Sequence, residues 1–564
     1  MDTIKPSSIL NGDVCFLLTI EYFGIHYRFS TIPISITDTA ENQSIPFRGG
    51  LRDPTINLQS KRVGVDLEAN TISINLVFEE IDWIKEWSKG RTLNDAKCDL
   101  SLVVVSKDKT SFTLQDAVKI FAGRAVDCIF GDPKNQKGEI SFSIENSINV
   151  REVKLLNPQS VLKENEPFWA SIGLIEQSKG KVVPFVFGTL GNAPIEDQYN
   201  NITFSDNIPM APAYLAGSSP SQKTQYYIVA YHDVVDGNIR IIQSDGGSFV
   251  NPIQQRKDQY GNIYSYVPFY IQVGIPEGTN VAFDNFYFIP EIELNYYASW
   301  AESNGAYKNA FGNGSLETSV DLSLFILEMT DLEYDHGAWR GLEPILNRYK
   351  FGGYVNDLEV NAFEWLRDNI WSLLPIEVVN SGKGLKPYLD LYMYSQTIEP
   401  SHFIQESGEF EIISPMNPLE QQIYNKVTIQ FCYVAMSETY RSQVVIDPLA
   451  TEDRGLTFTD PLAQISYSRY GLKELVITAP FVWDLTTAIR IARDKIRFHA
   501  LSAYAVEISA APKYGYIDLG EVISLTSERV GFQNHKAQVM SKSWSDNRWR
   551  FIVHIEDNPL VNLR

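Results

Sequence analysis

A multi-domain, mainly β chain with α+β parts is the fold class this sequence predicts, and three observations lead to it. Its 564 residues exceed what one hydrophobic core usually organises, so about three or four domains are expected. A composition of 44% hydrophobic and 12% aromatic residues supplies enough apolar surface for sizeable cores and lies far from that of disordered chains. Apolar and polar residues alternate with a period of two over much of the length, whereas helical spacing is confined to a central block and one late segment.

In chain order, Thr71–Leu76 and Glu139–Ile144 alternate as half-buried strands do. Between them Ile81, Ile84 and Trp87 recur at a three-residue spacing and give one helical stripe closed by Gly90. Residues 1–155 therefore read as a β domain with a short helix. Residues 156–195 form a looser linker region that ends in a strand over Val182–Gly188. Residues 196–305, rich in Tyr, Asn, Gly and β-branched side chains, predict an inserted all-β domain, with Asp236-Gly237 as a hairpin turn.

Residues 306–398 predict a small helical region, with helices over Val320–Met329, Ala338–Tyr349 and Asn361–Leu374. In the third, Phe363, Leu366, Ile370 and Leu373 share a face, Glu364 follows Asn361 as in a capping box, and Pro375 stops the run. From 399 to 564 strands return, except over Leu485–Leu501. There Leu485, Ala488, Ile489, Ala492 and Ile496 repeat helically and leave Arg490, Arg493 and Lys495 outside, which predicts a C-terminal α+β domain. The sequence shows no internal repeat, low-complexity tract or heptad array, so solenoid and fibrous architectures gain no support.

Against 48 Lys+Arg stand 69 Asp+Glu, a formal charge of −21. That balance opposes tight wrapping of nucleic acid, which depends on neutralising phosphates, and suits a passage along which another polyanion slides. Cys15, Cys98, Cys128 and Cys432 lie too far apart for a C-x-x-C pair and read as ordinary buried thiols. The first apolar run, Val14–Ile20, is short for a signal peptide, and no stretch approaches the ~18 apolar residues of a membrane span. Synthesis and folding in a cytoplasm are expected.

Signatures of chemistry are sparse. Ser381-Gly382-Lys383-Gly384 lacks the first glycine of a phosphate loop, because residue 377 is Glu, and reads as a turn. Neither H-E-x-x-H nor G-x-S-x-G is present. Asp331-Leu332-Glu333-Tyr334-Asp335-His336 could reach a divalent cation if the segment curled, against the plainer reading of a solvated interhelical loop. His232-Asp233 in a strand is open to a similar pair of readings. The 29 Tyr and 10 Trp would furnish sugar platforms, yet Trp365, Trp371, Trp544 and Trp549 sit in patterned elements and read as core. No catalytic, cofactor-binding or metal-ligating residue is assigned, no cofactor is expected, and the chain does not read as an enzyme.

Four stretches carry a family likeness. In the last third, the helix DLTTAIRIARDKIRFHALSAY leads to Tyr516–Thr526, with its Leu519-Gly520-Glu521-Val522 phrase, and then to the Trp-containing runs Val539–Trp544 and Trp549–His554. Gly520 would allow a tight bend after which Val522, Ile523 and Leu525 re-enter a sheet. This stretch resembles the closing domain of bacteriophage tail-tip and baseplate hub proteins. Tyr349–Asn356, the helix ending in Leu-Leu-Pro and the Gly-Lys-Gly-Leu turn at 382–385 resemble the helical hub region of that family. Phe121–Val126 with Gly131-Asp132 and the strand at 139–144 is similar to its tail-tube-like β domain, and VPFVFGTLGNAP looks like a linker of siphophage and gene-transfer-agent hubs. About two-thirds of the chain is covered, and 196–300 has no counterpart.

The resemblance implies tail-tube-like β domains, a helical hub region and a structural role at a phage tail tip. Three copies would close a ring that continues the tail tube, pairs sheet edges between subunits and opens for DNA ejection; separately, the charge of −21 leads to the expectation that acidic residues concentrate on the lumen and disfavour adhesion of exiting DNA. The implied partners are two further copies, distal tail protein, tape-measure protein and tail fibre or receptor-binding proteins. DNA would pass without specific binding, and contact with the host envelope would be transient, in a virion made in the host cytoplasm. Receptor binding would be delegated, because the sequence ends at 564 without fibronectin-like extensions, and no lysozyme-like or peptidase insertion is apparent. Tyr226, Tyr227, Tyr231, Tyr260, Tyr264 and Tyr266 of the insertion would offer an outward surface for fibres or glycans, or else form a decorated core. Two other readings remain open, a secreted or virion-associated glycoside hydrolase and the hub of a contractile or type VI-like injection system.

Overall fold

The computed structural model describes residues 13–59, 70–78, 93–105, 111–130 and 138–146, part of 153–204, most of the strands in 211–270 and 299–301, and 316–555 with breaks of one to three residues. The expected helix at 79–90 and residues Gly131, Asp132, Tyr231, Asp233, Asp236, Gly237, Tyr260 and Asp331 lie outside the described residues.

Among the described residues ten strands build the N-terminal part: β1 (Asp13–Tyr22), β2 (Ile25–Ser30), β3 (Ile34–Asp38), β4 (Gln43–Gly49), β5 (Thr55–Gln59), β6 (Asn70–Phe78), β7 (Lys97–Val105), β8 (Phe112–Thr113), β9 (Val118–Phe130) and β10 (Gly138–Asn146). An antiparallel run β2-β1-β7-β9-β10-β6-β5 forms its body. Alternation fixes the register: Ile56, Ile72 and Ile144 lie opposite one another and point inward, and a one-residue slip would expose all three.

β5 does not end this sheet. Its outer edge pairs antiparallel with Phe532–Ser545, Ile56 opposite Trp544 and Leu58 opposite Lys542. That strand pairs in turn with Arg548–Ile555 and Val522–Ser527, and Arg548–Ile555 with Tyr504–Ala510, so the two ends of the chain share one 17-stranded sheet among the described residues. They also share a core, in which Ile20, Ile74, Phe121 and Phe142 cluster with Ile508, Trp549 and Phe551. Phe16 and Trp544 meet edge to face at 5.4 Å.

A second core joins Leu155, Phe187, the central helices and a four-stranded sheet that includes Lys426–Val434 and Thr439–Ile446. Helix Ser319–Thr330 is buried on most sides, its polar Ser319, Asp321, Ser323 and Thr330 included. Its Ser323 hydroxyl donates to the Ser319 carbonyl and accepts from the Trp371 indole N–H at 2.9 Å. Trp371 stacks on Trp339 at 5.4 Å, and both are fully buried. Asn361 caps helix Ala362–Asn369 by accepting from the Phe363 and Glu364 N–H groups, and a single 3₁₀ turn, Trp371–Leu373, completes the run. Helix Leu485–His499 packs on the four-stranded sheet through Ala488, Ile491, Ala492 and Ile496.

Several expectations need correction. The helix expected over Ala338–Tyr349 is two short ones, His336–Gly341 and Glu343–Leu346, because Pro344 has no N–H for a continuous ladder and fits only the first turn of the second. A helix at Pro461–Tyr470 interrupts the late strands, capped by Asp460, which accepts from Leu462 and Ala463. In the insertion, the strands flanking Asp236-Gly237 are not hairpin partners. Thr224–Ala230 pairs with Ala211–Ser219 and Ile263–Tyr270, whereas Asn238–Gln243 pairs with Ser248–Pro252 and Ser299–Ala301. Tyr226 and Tyr227 are buried and offer no outward surface.

Candidate functional site

Several of the groups singled out for chemistry are, among the described residues, occupied structurally. Asp335 caps helix His336–Gly341 through the Ala338 N–H, and the Asp335 N–H donates to the Leu385 carbonyl. Tyr334 donates to Glu328 at 3.3 Å. His232 is buried and its Nε2 accepts from the Val186 N–H at 3.0 Å, which requires the neutral ring at that nitrogen. Ser381 and Gly384 face each other across a hairpin, as the turn reading implied. Trp365, Trp371, Trp544 and Trp549 are all core. Among the described residues no three His, Cys, Asp or Glu are placed to hold a metal ion.

One group of enclosed polar side chains gathers around Gly520. That residue stands at φ +80°, and a Cβ there would lie 2.3 Å from the Tyr388 ring, so only glycine fits both the backbone and the space. Its N–H donates to Val539 at 2.7 Å. Buried Gln538 completes the joint: Nε2 donates to the Leu389 and Gly520 carbonyls at 3.1 and 3.0 Å, and Oε1 accepts from the Leu391 N–H at 3.0 Å. One amide thus ties the Phe532–Ser545 strand to the segment leaving the helical region.

Beside it, His402 Nε2 lies 3.5 Å from Glu521, and its ring packs on Tyr516. Burial pushes the Glu521 carboxyl up, but the contact with His402 and the Asp518 N–H outweigh it and hold the group below the usual range. Lys542 is buried at an inward position. Its Nζ donates to the Gly515 carbonyl at 2.7 Å and lies 4.8 Å above the Trp549 ring, while burial draws its pKa down. A further cluster locks helix Leu485–His499: Tyr349 donates to Asp494 and lies 3.1 Å from the Tyr394 hydroxyl, and Arg497 approaches Asp494 at 3.5 Å. Burial raises the Asp494 carboxyl to about 6.

These groups bind backbone and one another, and what they can do chemically is hold elements together. At the surface, the strand His402–Gln405 pairs on one side, parallel to Val522–Ser527, among the described residues. Its Phe403 is 75% exposed, so an aromatic stands on an open sheet edge a few residues from the Gly520 joint. The sequence signalled Gly520 but not Gln538, Lys542 or Asp494. Lys542 did leave a trace, as a charge in the inward register of Ser541-Lys542-Ser543-Trp544.

No protein-family model matches the chain, and no curated protein matches it. Solved structures do. The tail protein from Neisseria meningitidis MC58 aligns over 96% of this chain and 97% of its own at 9% identity, with a TM-score of 0.35. The prophage MuSo2 43 kDa tail protein from Shewanella oneidensis aligns over 97% of both chains at 8% identity and the same score. The prophage tail protein gp18 from Listeria monocytogenes EGD-e covers 66% of this chain and 97% of its own at 11% identity, with a TM-score of 0.25. All three of these structural neighbours are tail proteins, two of them from prophages.

Proposed function

We propose that the chain is a structural component of a phage tail, the hub of its tip or baseplate, and that it works by assembly rather than catalysis. Three copies close a ring, pair sheet edges between subunits, continue the tail tube and anchor fibre or receptor-binding proteins, with an opening for DNA ejection. On this reading the N-terminal β strands, the helical region and the C-terminal α+β part are the family's units.

The observation that carries the reading is the shared sheet. The two stretches whose sequences resemble the tube-like and closing domains are joined by β5 and Phe532–Ser545, and the Gly520 phrase is the joint that sets the late strands. A body built this way still has, among the described residues, an open edge at His402–Gln405, as ring closure between copies demands. Light scattering and electron microscopy of the purified chain test it. A ring of three times the 63.9 kDa chain mass supports the hub. A monomer that turns over cell-wall polymers contradicts it and favours the glycoside hydrolase.

A further inference from the structure

The four-stranded sheet ends on a strand, Glu474–Thr478, whose outer edge is open among the described residues. It runs parallel to Lys426–Val434 without a bulge, from Glu474 opposite Lys426 to Thr478 opposite Gln430. The Lys473 carbonyl accepts from the Lys426 N–H, and the Ala479 N–H donates to the Gln430 carbonyl. Main-chain groups alternate between the two sides of a strand in a parallel ladder. Those of Leu475 and Ile477 therefore serve the sheet, and those of Glu474, Val476 and Thr478 point out of it.

Open edges are usually blunted by a proline, a bulge or a charge. No proline lies within this strand, and its one charge, Glu474, is engaged by Lys426 at 3.3 Å and by the Thr428 hydroxyl at 3.4 Å. Both faces beside the edge are apolar. Val476 is 53% exposed on one, and Leu475 and Ile477 are only half-buried against the second core on the other. Tyr470 and Leu472 extend this exposed apolar surface at the start of the strand. At the same end Arg469 and Lys473 stand exposed without an ion pair among the described residues, in a chain of charge −21.

A helix would leave the outward N–H and carbonyl groups unpaired, and a glycan or nucleic acid offers no ladder. An extended backbone pairs them, while its alternating side chains cover Val476 on one face and Leu475 and Ile477 on the other. The two unpaired cations call for carboxylates at one end of it. We propose that the Glu474–Thr478 edge is a docking site for another polypeptide, which adds an extended apolar segment as a fifth strand and lays acidic residues beside Arg469 and Lys473. The inference goes beyond the tail-hub reading and does not depend on it.

The test is fluorescence anisotropy of a labelled synthetic peptide of about six residues, alternating valine and threonine with aspartates at one end, added to the full chain. Saturable binding is expected, weakened about tenfold when lysines replace the aspartates. Of two versions N-methylated on alternate amides, one set on each edge of the peptide, one should bind and the other not. Arg469→Glu with Lys473→Glu should reverse the preference between the acidic and the basic peptide. Val476→Pro, which removes an N–H outside the ladder, should abolish binding of both. No saturable binding of the acidic peptide to the wild-type chain, equal binding of acidic and basic peptides, or equal binding of the two N-methylated ones overturns the inference, and none of these depends on a variant folding. Loss of a wild-type oligomer in light scattering on Val476→Pro would make the occupant a second copy and overturn it too. A ring of three copies that binds no peptide overturns this inference and leaves the hub standing.

Discussion

At Gly520 two constraints coincide, a left-handed backbone and a Tyr388 ring that leaves no room for a Cβ. Gly520→Ala is expected to cost at least about 2 kcal/mol in chemical denaturation, since a strained φ and overpacking add. Asp494 gives a pH-dependent counterpart. Its carboxyl is raised to about 6 in the folded chain, chiefly by burial, above the ordinary value of 3.8. The native state therefore holds the proton more tightly, and this group's contribution to stability is full below about pH 4 and lost as pH rises through about 6. Asp494→Asn keeps an acceptor for Tyr349 but does not titrate. The stability of wild type relative to that variant should fall by on the order of 2 kcal/mol between pH 4 and 7, and a flat difference would contradict the assignment. Gly520 was legible because glycine in a strand pattern signals a bend. Asp494 was not, because a carboxylate beside arginines on an amphipathic helix looks solvated until Tyr349, 145 residues away in sequence, is folded over it.

Among elements, legibility follows how local the cause is. The start of the Asn361 helix was read correctly since its cap and apolar face lie within one segment, but the helix ends at Asn369 and a separate 3₁₀ turn, Trp371–Leu373, stands where its last turn was expected. Asn361→Ala should destabilise by about 1 kcal/mol in thermal or denaturant unfolding through loss of the two N–H acceptances. The Pro461–Tyr470 helix escaped notice, although Asp460-Pro461 is a start signal, because it buries only Leu462, Ala463 and Ser466 and so shows no apolar stripe. The hairpin expected at Asp236-Gly237 failed for the opposite reason. Both flanking runs are strands, but partner choice is set by the rest of the seven-stranded sheet, which places two strands between them.

For the whole molecule, the seam between β5 and Phe532–Ser545 could not be seen in the sequence, since nothing in Ile56 or Trp544 marks a partner almost 500 residues distant. Composition and alternation nevertheless sufficed for a mainly β, multi-domain body, because those properties depend on period rather than on partners. If the open edge at His402–Gln405 closes the ring, Phe403→Asp should leave unfolding stability within about 0.5 kcal/mol, as its side chain is exposed, while abolishing the trimer in light scattering. A trimer of unchanged mass would move the contact elsewhere. The central claim, that this chain is the hub of a phage tail, is met most directly by counting it in purified particles with isotope-labelled peptide standards and locating it by gold-tagged antibody. Three copies per particle, with the label at the tail tip, are the predicted result. Particles that lack the chain, or carry it away from the tail, would contradict the account.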